Sequence, residues 1–134
     1  MILKKIDDFS LNILLVEDDP VSNFLVTLKL KKRGFTNIAS QENGLLALSH
    51  VKKNNIDLIF LDINMPVMDG FEFLEEFTRE NIGPDTKVVM LTSSTRSCDQ
   101  EAAAKYDNVV DFLEKPLTEA NIENVFNKLN CAII

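Results

Sequence analysis

The chain has 134 residues, 14 basic against 21 acidic, for a formal net charge of −7 with its one histidine neutral. An apolar content of 46% with 26% charged residues is that of a globular protein with a single core, and the acidic balance argues against a basic nucleic-acid-binding face. No run of about 18 apolar residues is present to span a bilayer, Met1 to Ser10 lacks a signal-peptide core, and Cys98, Cys131 and His50 are too few for a zinc knuckle or a disulfide framework, so a cytoplasmic protein is expected.

In chain order, residues 1–10 read as a lead-in and Leu11–Val16 as a compact apolar strand ending at Glu17, Asp18 and Asp19. Asp19-Pro20 marks a helix start, with an aspartate to cap free amides and proline at the first helical position. Val21, Phe24, Leu25, Leu28 and Leu30 are its expected inward face, and Lys29, Lys31, Lys32 and Arg33 suit its C-terminal dipole before Gly34 stops it. Phe35–Ser40 reads as a weaker second strand. Asn43-Gly44 opens a helix with Leu45, Leu46, Leu48 and Val51 as its apolar face, ended by Asn54-Asn55.

Ile56–Leu61 is dense in branched and aromatic residues, as expected of a strand covered on both faces, and it delivers Asp62 before the chain turns at Pro66. Alone, Asp62 can be a metal ligand, a nucleophile or a cap for the turn. After the Met65–Gly70 loop, Phe71, Phe73, Leu74 and Phe77 mark a third helix, although these phenylalanines are too widely spaced to share one face. Lys87–Leu91 is a fourth strand leading to the hydroxyls of Thr92, Ser93, Ser94 and Thr95. Ser97-Cys98-Asp99-Gln100 fits a capping box for a helix to about Tyr106. Val109–Leu113 is the fifth strand, Lys115-Pro116 follows, and Thr118 caps a last helix carrying Ile122, Val125, Phe126 and Leu129.

Five strands alternating with five helices predict an α/β fold, βαβ units around a parallel sheet with right-handed crossovers, in one domain spanning residues 1–134 with its core at about 11–129 and no room for a second domain. Parallel strands bring their C-terminal ends to one edge, so Glu17, Asp18, Asp62, Thr92 and Lys115 meet there. Facing carboxylates repel unless a proton or cation intervenes, and without histidine or thiolate a hard ion such as Mg²⁺ is the natural choice. A lysine and a threonine on the same spot suit phosphoryl oxygens, and a central carboxylate, Asp62, can be the nucleophile that forms an aspartyl phosphate.

Val16-Glu17-Asp18-Asp19-Pro20, Leu61 to Gly70, Leu91-Thr92-Ser93 and Phe112-Leu113-Glu114-Lys115-Pro116 closely resemble the receiver domain of two-component response regulators, over about Leu11 to Leu129. The resemblance implies a doubly wound (βα)₅ flavodoxin-like fold, a five-stranded parallel sheet with strand order 2-1-3-4-5, with no output domain. It implies that Asp62 accepts a phosphoryl group from a phosphohistidine of a sensor histidine kinase or a histidine phosphotransfer protein. Asp18 and the backbone carbonyl of Asn64 would bind Mg²⁺, with Glu17 holding it partly through water. Thr92 would be the switch hydroxyl, Lys115 the phosphate partner and Phe112 the aromatic that turns inward. Output would pass through the face of the fourth helix, fifth strand and fifth helix to a separate protein or a second copy, with no direct nucleic-acid or membrane contact. Catalysis would be limited to self-phosphorylation and slow autodephosphorylation. In the resembling family the Lys-Pro peptide bond is often cis.

Two features depart from that pattern. Glu17 replaces one aspartate of the acidic pair, and Tyr106-Asp107-Asn108-Val109-Val110 lacks the usual alanine-glycine turn and is one residue longer before Lys115. Two other functions fit the pattern less well. A metabolite phosphatase working through an aspartyl phosphate needs a general acid two residues on, where Asn64 stands. A flavin carrier needs a phosphate cradle in the first loop, where Glu17-Asp18-Asp19 would repel the anion.

Overall fold

A computed structural model describes residues 10–93 and 97–133, and no helix among them is long and apolar enough to cross a membrane. The chain alternates β1 (Ile13–Val16), α1 (Pro20–Lys32), β2 (Ile38–Gln41), α2 (Gly44–Lys53), β3 (Leu58–Asp62), α3 (Gly70–Arg79), β4 (Lys87–Thr92), α4 (Ser97–Ala103), β5 (Val109–Glu114) and α5 (Glu119–Ile133). All neighbouring strands are parallel, in the order β2-β1-β3-β4-β5, which is the doubly wound arrangement expected.

Alternation along the buried strands divides the interior into two layers. Ile13, Leu15, Leu58, Phe60, Val89 and Leu91 face one side and meet Val26 and Leu30 of α1 and Ile122, Val125, Phe126 and Leu129 of α5. Leu14, Val16, Ile59, Leu61, Val88 and Met90 face the other and meet Ala47, Leu48 and Val51 of α2, Phe73, Leu74 and Phe77 of α3 and Ala103 of α4. Phe73 and Phe77 stack at 5.3 Å and are fully buried, while Phe71 is half-buried against the same layer.

The helix starts follow the expected chemistry. The Asp19 carboxylate accepts from Val21 N at 3.0 Å with Pro20 opening α1, and Asn43 Oδ1 accepts from Leu46 N at 2.9 Å. Asp69 and Glu72 form a reciprocal capping box at α3, and Thr118 and Asn121 do the same for α5. Ser97 is already the first residue of α4, which ends at Ala103, three residues short of Tyr106. Its side chain, the hydroxyls of Ser94 and Thr95, and the side chains of the terminal Ala132-Ile133-Ile134 lie outside the described residues.

Three expectations need correction. The face of α1 that enters the core carries Val26 and Leu30, whereas Val21, Phe24, Leu25 and Leu28 are exposed. In α2, Ala47 joins Leu48 and Val51 inside and Leu45 and Leu46 face out. The second strand begins at Ile38, because Gly34, at φ 104°, turns Phe35 inward, where its ring stacks on Phe126 at 4.7 Å.

The extra residue before Lys115 is absorbed by a bulge. Val88 pairs with Val109 but Val89 with Asp111, so that Met90 again faces Phe112 and Thr92 faces Glu114. Asp111 Oδ1 accepts from Phe112 N at 2.9 Å, and its other oxygen lies 3.0 Å from Lys128 Nζ of α5. The Lys115-Pro116 peptide bond is cis.

Candidate functional site

Each strand that ends in a polar group delivers it to the C-terminal edge of the sheet. Glu17 continues β1, Asp62 ends β3, Thr92 ends β4 and Lys115 follows β5. Glu17, Asp62 and Thr92 are buried, Asp18 is exposed and Lys115 is half-buried. Carboxylate oxygens of Glu17, Asp18 and Asp62 lie within 4.8 Å of one another, a hard-oxygen donor set able to hold a metal ion such as Mg²⁺. Lys115 Nζ reaches over the same pocket, 2.7 Å from Glu17 Oε1 and 3.4 Å from Asp62 Oδ2.

Backbone contacts fix the frame. Glu17 N donates to Gln41 O at 3.0 Å, and Asn23 Nδ2 of α1 donates to Glu17 O at 3.0 Å. Lys115 N donates to Thr92 O at 2.7 Å, tying the lysine loop to the end of β4. Ile63 N donates to Leu91 O at 3.0 Å, and Gly70 N donates to Ile63 O at 2.9 Å, so α3 starts against the residue that follows Asp62. Strand alternation puts Thr92 on the same side of the sheet as Met90, whose register partner is Phe112, half-buried against the α2–α3–α4 layer. Met65 and Met68 pack against that layer too, and Asn64 is exposed two residues beyond Asp62.

Burial and crowding set the charges. Burial pushes the Asp62 carboxyl up to about 7, helped by the hydrogen bond and charge of Glu17, with Lys115 pulling the other way. Burial is the largest single influence on Glu17 and raises it, but the hydrogen bonds with Lys115, Asp62 and the Asp19 amide and the Lys115 charge together outweigh it and hold that carboxyl below its usual range. Asp18 is raised, by desolvation and then by Glu17. Burial opposes the Lys115 charge, yet Glu17 and Asp62 together keep the ammonium above its ordinary value. Without metal, then, Lys115 and Glu17 form the ion pair and Asp62 is the carboxyl that retains a proton nearest neutrality.

This gives a pH test. The unfolded chain releases the Asp62 proton near 3.8 and the folded chain near 7. The stabilisation tied to that proton is complete below the lower value and is lost as pH rises to the upper one. Glu17 acts with the opposite sign, but only below about pH 4.5. In metal-free buffer, Asp62→Asn is expected to gain on the order of 2–4 kcal/mol over the wild type between pH 4 and pH 8. Denaturant unfolding at several pH values measures it, and parallel pH curves would show Asp62 ionised throughout.

The structure thus brings Glu17, Asp18, Asp62 and Lys115 together around one pocket and sets Thr92 beside it. Sequence reasoning overlooked Gly70. A Cβ there would stand 2.5 Å from the Asp62 carbonyl oxygen and 3.0 Å from Ile63 Cα, both backbone atoms. The Asp69-Gly70 pair was read only as the end of a loop. Asn23 was missed as well, because a polar residue inside a helix pattern carries no sign of its partner.

A family model, that of the response regulator receiver domain, matches residues 13–127. The chain is 35% identical to a protein-glutamate methylesterase/protein-glutamine glutaminase of Paramagnetospirillum magneticum over 84% of its own length, but it spans only 30% of that relative. It is 28% identical to the chemotaxis protein CheY-3 of Vibrio cholerae, covering 90% of this chain and 92% of the relative. Among solved structures it is similar to the receiver domain of a sensor histidine kinase from Pseudomonas aeruginosa, which has a magnesium ion coordinated in its active-site cleft. That match has a TM-score of 0.78 and 25% identity, over 89% of this chain and 96% of that one.

Proposed function

This chain belongs to the response regulator receiver domain family, and from that premise we propose that it takes a phosphoryl group on Asp62 from a phosphohistidine and signals through protein–protein contacts. The observation that carries this reading is one buried carboxylate, Asp62, with an oxygen within 4.8 Å of those of Glu17 and Asp18 and 3.4 Å from the Lys115 ammonium. In the transfer, an Asp62 oxygen attacks phosphorus, the bond to the donor nitrogen breaks and the imidazole leaves with that electron pair. Lys115 sits where it can swing from Glu17 to a phosphoryl oxygen. Glu17, Asp18 and Asp62, with the carbonyl of Asn64, would hold Mg²⁺, as the chemistry of the donor set and the magnesium of the Pseudomonas relative suggest. The ion supplies charge neutralisation for the phosphoryl oxygens.

The donor is a sensor histidine kinase or histidine phosphotransfer protein, and the setting is the cytoplasm. Output passes through α4, β5 and α5 to a separate protein. Asn64, which cannot serve as a general acid, disfavours turnover of free phosphomonoesters.

The test uses acetyl phosphate as a small donor. With Mg²⁺, the intact mass is expected to rise by one phosphoryl group, and chelation of the metal should prevent it. Asp18→Asn should weaken the Mg²⁺-induced shifts of backbone amides by tenfold or more and slow labelling in step. An unchanged Mg²⁺ affinity in that variant would place the ion elsewhere.

The switch is testable separately. A phosphoryl group on Asp62 draws the Thr92 hydroxyl toward it, and Phe112, on the same side of the sheet, fills the space vacated. Thr92→Ala is expected to accept phosphate but to lose most of the phosphate-dependent gain in partner binding. Beryllofluoride, added to wild type and variant, gives the comparison; equal gains would sink the coupling of Thr92 to Phe112.

A further inference from the structure

Asp18 differs from the other carboxylates of the pocket in how it is held. Asp62 ends β3 inside the sheet, and Glu17 still pairs with the sheet through its amide, which donates to Gln41 O at 3.0 Å. Asp18 stands one residue further out, exposed, in the turn between β1 and α1. Its carboxylate nevertheless lies with those of Glu17 and Asp62. Without an ion, three such groups repel one another and favour an opened turn.

One residue of α1 opposes that opening. Asn23 Nδ2 donates to Glu17 O at 3.0 Å, and Asn23 N donates to Asp19 O at 3.1 Å. The residue before Asp18 and the residue after it are thus both fastened to Asn23. The second bond belongs to the helix, and almost any residue at this position would make it. The first does not, because Glu17 O lies outside α1 and takes its donor from a side chain. Glu17 is buried, so a carbonyl deprived of that amide would be left unpaired, or would turn toward water and carry Asp18 with it. There is little room for water to replace the amide. The cavity beside it, walled by Leu15, Val26, Phe60 and Leu91, measures about 10 Å³, the lower limit for a single molecule.

We propose that Asn23 is a positioning residue for Asp18, holding the acidic turn in its ion-binding shape before an ion arrives. The role presupposes the Mg²⁺ site proposed above and adds to it a residue that acts only through its neighbours. Repulsion among the carboxylates is opposed within the metal-free protein, so the binding energy of the ion is not spent on closing the turn.

A residue that only secured α1 would affect stability and leave the metal alone. Thr86 supplies the comparison. Its Oγ1 donates to Ile56 O at 2.6 Å, again a side chain on a backbone carbonyl, but ahead of β3 and β4 and so at the opposite edge of the sheet.

Mg²⁺ titrations of the full chain, followed by backbone amide shifts, test the proposal on wild type, Asn23→Leu, Asn23→Ala and Thr86→Val. Asn23→Leu keeps the shape of the side chain without its donor, and is expected to weaken Mg²⁺ binding about fivefold. Asn23→Ala, which opens space for water at the carbonyl, should lose affinity in the same direction by a smaller factor. Thr86→Val should lower Tm as Asn23→Leu does and bind Mg²⁺ like the wild type. In metal-free buffer, the Asp19 amide should exchange with solvent faster in Asn23→Leu than in Thr86→Val. Unchanged affinity in both Asn23 variants overturns the proposal and leaves the metal site standing. An equal loss in Thr86→Val also overturns it, since the effect would then be one of general stability. A wild type without Mg²⁺-dependent shifts overturns the metal site and this role of Asn23 together.

Discussion

Asp62→Asn is expected to reduce phosphoryl uptake from acetyl phosphate to below about 1% of wild type, read as the absence of the mass increment. The amide that replaces the carboxylate is a poor nucleophile at oxygen and cannot form the acyl phosphate. The substitution keeps size and shape, and leaves Lys115 on Glu17 at 2.7 Å. Its effect on stability has the opposite sign, because it removes a carboxyl that burial raises to about 7. A variant that is more stable at pH 8 yet takes no phosphate has lost chemistry and not fold. An undiminished increment in Asp62→Asn would move the acceptor to another carboxylate, with Asp18 the next to examine.

Gly70→Ala should have the largest structural effect of any single methyl added near the site. The new Cβ would stand 2.5 Å from the Asp62 carbonyl oxygen, and flexible side chains cannot relieve a clash with backbone. Either α3 moves out, straining the Gly70 N to Ile63 O bond, or the end of β3 moves and takes the Asp62 carboxylate with it. A destabilisation of about 2–3 kcal/mol is expected, lowering Tm by roughly 5–10 °C. Labelling of Asp62 should slow by at least tenfold, since a displacement of a fraction of an ångström disturbs both the metal donors and the Lys115 contact. A variant with unchanged Tm and unchanged labelling would show that the start of α3 is not fixed against the site.

What was legible in the sequence was the part governed by period and direction. Uniform alternation of strand and helix requires parallel strands, and parallel strands bring residues as far apart as Glu17 and Lys115 to one edge. The helix caps at Asp19, Asn43 and Thr118 were legible for the same local reason. The inward face of α1 was not. Val21, Phe24, Leu25 and Leu28 make a longer apolar row than Val26 and Leu30, and periodicity locates a row without saying which one meets the sheet. Burial of Val26 and Leu30 goes with the Asn23 side chain reaching the Glu17 carbonyl, a contact no pattern announces. Phe35 falls in the weak apolar run that predicts the second strand, whereas the turn at Gly34 sends it into the core. Nor could spacing show that Lys115 rests on Glu17 more closely than on Asp62, a matter of side-chain reach.

The bulge in β5 bears on a different problem, that of the unpaired rim of an open sheet. β5 is an outermost strand, and such strands offer free amides that an extended segment of another chain can join. Here the Asp111 carboxylate, set where the bulge turns it, takes the Phe112 amide for itself and is anchored by Lys128. A strand arriving from outside would have to displace a charged acceptor and break its ion pair. On this rim the protein is therefore guarded against strand addition and against the sheet-to-sheet aggregation that begins with it. A partner that approaches β5 must read side chains, and an inserted residue that threatened the register has become the means of keeping the sheet finite.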